Sequence, residues 1–232
     1  MEIFDSFSKS VDYVSKLLSR GSELIVMIIV NIIPIVNFIF LGYCAKIFKE
    51  GPAKDEPPKF ENFGELFWDG LKIFIVGLLW ALLPILILVV AFILVAPWYW
   101  IGGGLGFARL GVTLIIAIFI ALLAGIAVGI FGVIGLLLTA KTGEIAKGFS
   151  FQQIMAVINS VGFANHVIWV IVAAIIAFIV GLFGTIPLIG WLIAIVVSPL
   201  LATFLVRAAT LFYSDAVEKT LLPPPPPPPL SV

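Results

Sequence analysis

The chain has 232 residues, of which 62% are hydrophobic and 11% charged, with a mean hydropathy of +1.24. A soluble domain carries about 25% charged residues, so the water-soluble globular classes are excluded. Its 13 basic and 13 acidic residues cancel, which leaves no basic surface for nucleic acid.

Residues 3–20 begin the chain with a helical pattern: Ile3, Phe4, Phe7, Val11, Val14, Leu17 and Leu18 on one side, Asp5, Lys9, Asp12 and Lys16 on the other. This predicts a helix in the membrane interface, the alternative being a surface helix packed on protein. Acidic residues among the basic ones, and the lack of a short apolar core ending in a cleavage motif, read as a retained segment and not as a signal peptide. Leu24–Ala45 is apolar but interrupted by Asn31, Pro34 and Asn37. It reads either as one kinked span or as a re-entrant hairpin turning at 33–37.

Residues 46–62 form the main soluble loop, with alternating charges and Pro52, Pro57 and Pro58. A second amphipathic stretch, 62–72, leads into Ile73–Ala96, a span with an expected kink near Pro84. Pro97–Arg109 is expected to be an interface turn with an aromatic cluster, Trp98, Tyr99 and Trp100. Its glycines lack nucleotide-loop spacing. Gly111–Thr139 then runs 29 residues without a charge, roughly 43 Å as a helix and longer than the roughly 30 Å of a bilayer's hydrocarbon core. Ala117, Ala121, Gly125 and Gly129 recur along it every four residues, a row on which another helix is expected to pack closely.

A third amphipathic stretch, Phe149–Asn165, precedes two spans, Val167–Leu188 and Ile189–Tyr213. Small-residue rows mark both: Ala173, Ala177 and Gly181, then Gly190, Ala194, Ser198 and Ala202. A proline-rich tail, 216–232, ends in the run Pro223–Pro229, expected to be an extended polyproline II segment. It reads as a ligand for a proline-binding partner or as a stiff terminus. The organisation expected is therefore a single membrane domain over 1–215, made of three repeat-like units, 3–47, 60–139 and 148–213, each an interface helix followed by an apolar hairpin. The fold class is an all-α integral membrane protein, a helical bundle of hairpins with amphipathic interface helices.

Charge separates the two readings of residues 24–45. A single crossing puts nine basic residues on one side and four on the other. A hairpin moves Lys9, Lys16 and Arg20 across, and the split becomes twelve to one. Basic residues favour the cytoplasmic side, so the hairpin is preferred, with the C-terminus cytoplasmic in the cell membrane.

Leu41-Gly42-Tyr43 followed by Lys46, the run from Phe63 to Lys72, and Ile186-Pro187-Leu188-Ile189-Gly190 resemble a prokaryotic, largely archaeal family of multi-pass membrane proteins of unknown function. That resemblance covers about residues 5–215 and implies no catalytic or ligand residues.

Few groups carry chemistry. One cysteine, Cys44, and one histidine, His166, leave no metal site of several Cys or His ligands to build and no cofactor to expect. Asn31 and Asn37 are the strongly polar groups within an apolar segment, suited to interhelical hydrogen bonds or to lining a small cavity. Arg109 sits at a span entry. Arg207, about two turns inside a helix end, is expected to snorkel to the interface, or to meet an anionic lipid headgroup. His166 reads as an interface residue in a capping or water contact, and Glu65 with Asp69 as a solvated face. With no Asp, Glu or His near a span centre, proton-coupled transport is not expected. The reading is a non-catalytic membrane protein, not an enzyme, in membrane organisation or as an assembly partner contacting lipid and capable of forming a homo-oligomer. The alternative is a channel or transporter for a small neutral or apolar solute.

Overall fold

A computed structural model describes residues 2–101 and 103–222, with side chains from 2–94 and 111–222. Among these residues the regular structure is all helical, without strands: α1 (Ile3–Leu18), α2 (Gly21–Ile32), α3 (Asn37–Glu50), α4 (Phe63–Ile101), α5 (Gly103–Thr142), a 3-10 turn (Ile145–Phe149), α6 (Phe151–Val161), α7 (Phe163–Phe183) and α8 (Gly190–Leu221). Four are long and apolar enough to cross a membrane, over Phe63–Leu94, Gly111–Thr142, Phe163–Phe183 and Gly190–Leu221. The chain is an all-α membrane bundle. The aromatic cluster Trp98–Trp100, the side chain of Arg109 and the proline run lie outside these described side chains.

The buried core sits at one end. One cluster joins Phe7, Ile134, Leu138, Ile154, Trp169 and Tyr213; another joins Tyr13, Leu17, Met27, Tyr43, Ile47 and Leu66. Further along the spans, Leu78, Leu82, Leu86, Phe119, Leu122 and Phe178 are exposed. In water such a surface would be untenable; against lipid tails it costs nothing, because hydrocarbon is as apolar as leucine.

Pro34 interrupts the helical pattern and α2 ends at Ile32, with the backbone extended at Ile33. The chain then reverses. Arg20, just before α2, donates from Nη1 to the Pro57 carbonyl at 2.8 Å, and Gly51, at the end of α3, borders the same loop. Both ends of the α2–α3 unit thus meet residues 51–57, and the two helices form a helical hairpin. Gly51 ends α3 at φ +81°, a left-handed conformation that glycine adopts without a Cβ clash.

Helices α3 and α4 run antiparallel and touch backbone to backbone. A Cβ on Gly42 would overlap the Leu66 carbonyl, and one on Gly70 would overlap that of Phe38. Phe38 also packs on Phe67 and Phe74. The amphipathic 62–72 stretch is not a separate element: α4 continues through it and through Pro84 without a break. A proline there removes one ladder hydrogen bond, which neighbouring groups in a span can tolerate. The third amphipathic stretch is divided, because Gly162 at φ +88° ends α6 before α7 starts.

Candidate functional site

The densest polar arrangement lies at the loop end of the bundle, where α1, the 51–62 loop and α8 meet. Helix α1 has three faces. Ser6, Phe7, Ser10, Tyr13 and Leu17 are buried and share one side of the helix. Phe4, Val11 and Leu18 recur every seven residues and are exposed. Lys9, Asp12 and Lys16 line the opposite flank. Ser6 and Ser10 are buried without penalty because each hydroxyl donates to a carbonyl of its own helix, at 2.6 and 2.7 Å.

Arg207 enters this junction from α8 and is 2% exposed. Its Nη1 donates to the Gly51 carbonyl at 3.2 Å. Its Nη2 donates to the Pro52 carbonyl at 3.2 Å and to Asp55 Oδ1 at 3.0 Å. The guanidinium carbon lies 4.6 Å from the centroid of the Tyr13 ring, a cation–π stack. Burial pushes the Tyr13 phenol above its ordinary range, with Arg207 opposing. Arg207 therefore does not snorkel: a buried cation needs acceptors, and the loop carbonyls supply them. Lys16 Nζ donates to the Asp55 carbonyl at 3.0 Å, and Arg20 Nη2 pairs with Glu56 at 3.0 Å. Beside Arg207 is a cleft of about 330 Å³ lined by Lys9, Asp12, Tyr13, Lys16, Pro52, Asp55 and Leu211.

Asn31, Asn37 and Ser198 form a second polar group nine residues up α8 from Arg207, roughly 14 Å away along the axis. Asn37 Nδ2 donates to Asn31 Oδ1 at 2.6 Å and to the Asn31 carbonyl at 3.1 Å. Asn31 Nδ2 donates to Ser198 Oγ at 2.9 Å. The two asparagines thus bridge the hairpin and tie it to α8.

His166 is fully buried and bonds within the protein rather than making a capping or water contact. Its Nε2 lies 2.8 Å from the Ile130 carbonyl and its Nδ1 2.9 Å from Tyr213 Oη. The carbonyl can only accept, so the neutral ring carries its proton on Nε2 and Nδ1 receives the Tyr213 hydroxyl. Asp69 is likewise no solvated carboxylate: it pairs with Lys49 of α3 and with Lys72 at 3.7 Å, its side chain 13% exposed.

The small-residue rows divide. Ala117 and Ala121 are buried, but nothing lies within 4 Å of where a Cβ on Gly125 or Gly181 would sit, and Gly129 would meet only Val170 Cγ1 at 3.8 Å. Helix α7 stands away from α5 here, and Ala121, Gly125 and Gly129 line an apolar groove of about 500 Å³ with Pro84, Val170 and Ala174. Ala173 packs on the first core cluster and Ala177 is half-buried. In α8, Gly190 abuts Gly184, Ser198 takes the Asn31 bond, Ala202 packs on the second cluster, and Ala194 is exposed. The tight glycine contacts are Gly42, Gly70, Gly135, Gly148 and, from the predicted rows, Gly190: a Cβ on Gly190 would overlap the Gly184 carbonyl and one on Gly135 the Gly148 carbonyl, which also accepts from Trp80 Nε1 at 3.2 Å.

Sequence reasoning did not find Tyr13, Gly51, Pro52 and Asp55 as partners of Arg207. The available signal was the left-handed glycine and prolines beside a charged loop, which mark bared carbonyls without naming the cation. Among the described residues no cluster of three or more His, Cys, Asp or Glu could hold a metal ion.

No curated protein and no solved structure matches the chain. A family model does match, over residues 25–189, from α2 to the turn before α8, and it is described as a protein of unknown function (DUF4013). The match covers most of the chain and includes the α2–α3 hairpin and the α3–α4 contact, so the chain belongs to this family of unknown function, DUF4013.

Proposed function

We propose that the chain is a non-catalytic, multi-pass protein of the prokaryotic, largely archaeal cell membrane that acts in membrane organisation or as an assembly partner. The observation that carries this reading is the three-way division of α1: one face in the core, one apolar face exposed and one charged flank. A helix so divided suits the boundary where protein, acyl chains and water meet. Helix α6 buries Ile154, Val157 and Ile158 and leaves Phe151 exposed, a second candidate for the same position.

The loop end carries the basic residues, including Lys9, Lys16, Arg20, Lys46, Lys49 and Lys54, so it faces the cytoplasm together with the C-terminus. Helix α2 has 12 residues, about 18 Å, so the hairpin enters the hydrocarbon core without crossing it. The spans bury little of themselves: 6% of the most apolar stretch of α4 and 11% of that of α5. Such walls suit contact with lipid or with further copies of the chain.

Spin labels at residues 9 and 11 in nanodiscs test the placement. The label at 11 is expected to be relaxed by oxygen and the label at 9 by a water-soluble nickel complex; a water-exposed label at 11 overturns it. Liposomes carrying the protein are expected to take up glycerol no faster than empty ones, and protein-dependent uptake would favour the channel reading.

A further inference from the structure

We propose that the cleft between α1, the 51–62 loop and α8 binds a phosphate group, and that Asp55 is a resident competitor for it. Arg207 presents a buried cation whose side chain is 3% exposed, whereas the side chain of its carboxylate partner Asp55 is 82% exposed. The carboxylate therefore reaches a buried guanidinium from the solvent side, by a route open to another anion. Asp55 is held there by one side-chain bond of 3.0 Å to Arg207 and by its carbonyl on Lys16. The Nε–H of Arg207 is buried and has no acceptor, a donor left over after the loop has been bound. A buried donor without a partner carries an uncompensated desolvation cost, which an incoming oxygen removes.

The charge balance suits an anion. Lys9, Lys16 and Arg207 face the cleft against Asp12 and Asp55, while nearby Glu50 is paired with Lys54. When Asp55 swings out, three cations face one carboxylate. Phosphate has more acceptor oxygens than a carboxylate and can meet Arg207 and both lysines at once, from a cleft of about 330 Å³. The cleft opens on the charged flank of α1, opposite Val11 and Leu18, so the phosphate arrives from the water side, either free or on a lipid headgroup. This inference does not depend on the role proposed above.

The test uses the full chain. Inorganic phosphate is titrated calorimetrically into protein in neutral detergent. Separately, native mass spectrometry follows release from phosphatidylcholine nanodiscs with and without phosphatidic acid. D55N is expected to bind about tenfold tighter than the unaltered chain and K9Q/K16Q about tenfold weaker, as expected when charge-assisted bonds are freed or lost. Binding of inorganic phosphate with that ranking assigns a free anion. The same ranking seen only for retained phosphatidic acid assigns a headgroup. Binding of neither ligand, or equal affinity in all three proteins, overturns the proposal; K9Q alone, at an exposed lysine that does not bond the loop, is expected to weaken binding as well and covers the case in which D55N or K16Q loosens the loop.

Discussion

Gly42 of α3 and Leu66 of α4 meet backbone to backbone, with no room for a Cβ between them. The same crossing brings Gly70 against Phe38, so the two helices are held at glycine distance at two points. G42A and G70A are each expected to lower stability by about 1–3 kcal/mol, because the added methyl meets backbone that cannot rotate away. G125A is expected to be nearly neutral, since its Cβ enters open space. Thermal unfolding in detergent measures all three, and a G125A loss equal to that of G42A would contradict the open groove.

The bond from Asn31 to Ser198 links residues 167 apart. Interhelical hydrogen bonds within membranes average about 0.6 kcal/mol and reach about 1.7. A double-mutant cycle of N31A and S198A should return a coupling in that range. A coupling of zero would mean that the hairpin is held to α8 by apolar packing alone.

R207K should be clearly destabilising, by about 1–3 kcal/mol. An ammonium is a point charge and cannot present a fork to Gly51, Pro52 and Asp55 together, so buried carbonyls lose partners. Its unfolding temperature is expected to fall, and limited trypsin digestion is expected to cut at Lys54 and Lys59 sooner. An unchanged cleavage rate would show that the loop does not depend on the guanidinium fork.

The ties of Lys16 and Arg20 to Asp55 and Pro57 require α1 and the 51–62 loop to share one side of the membrane. Cysteines placed at 9 and at 55 in a C44A background should react with an impermeant maleimide from the same side. Labelling from opposite sides would restore the single crossing.

Much of the fold was legible. Long apolar runs gave the spans, and the hairpin followed from the charge split, because moving three basic residues changes the balance more than any local signal does. Helix α1 was legible as amphipathic but not as three-faced: periodicity separates polar from apolar, yet cannot tell an apolar residue facing protein from one facing lipid. The Gly125 and Gly129 row misled for a related reason. Spacing of small residues says that a backbone can come close there, not that one does. At Gly42 and Gly70 the spacing is hidden, since the two glycines lie on different helices and match only across an antiparallel crossing. Arg207 was assigned by its distance from a helix end; its acceptors lie in a loop some 150 residues earlier, beyond the reach of local pattern. The partners of His166 were hidden likewise, being a carbonyl on α5 and a hydroxyl on α8.

The junction of α1 with α8 also bears on how the protein is made. Chains are synthesised and begin to fold from the N-terminus, yet the first helix finds its neighbours in the last one: Phe7 packs on Phe204 and Tyr13 on Arg207, while the hairpin waits for Ser198. Before α8 enters the bilayer, α1 can meet the hairpin and the 51–57 loop but lacks Phe204 and Arg207. Without α8, the Tyr13 ring loses the guanidinium stacked on it and the charged loop its buried cation. Insertion of α8 is thus the step that completes the packing of α1.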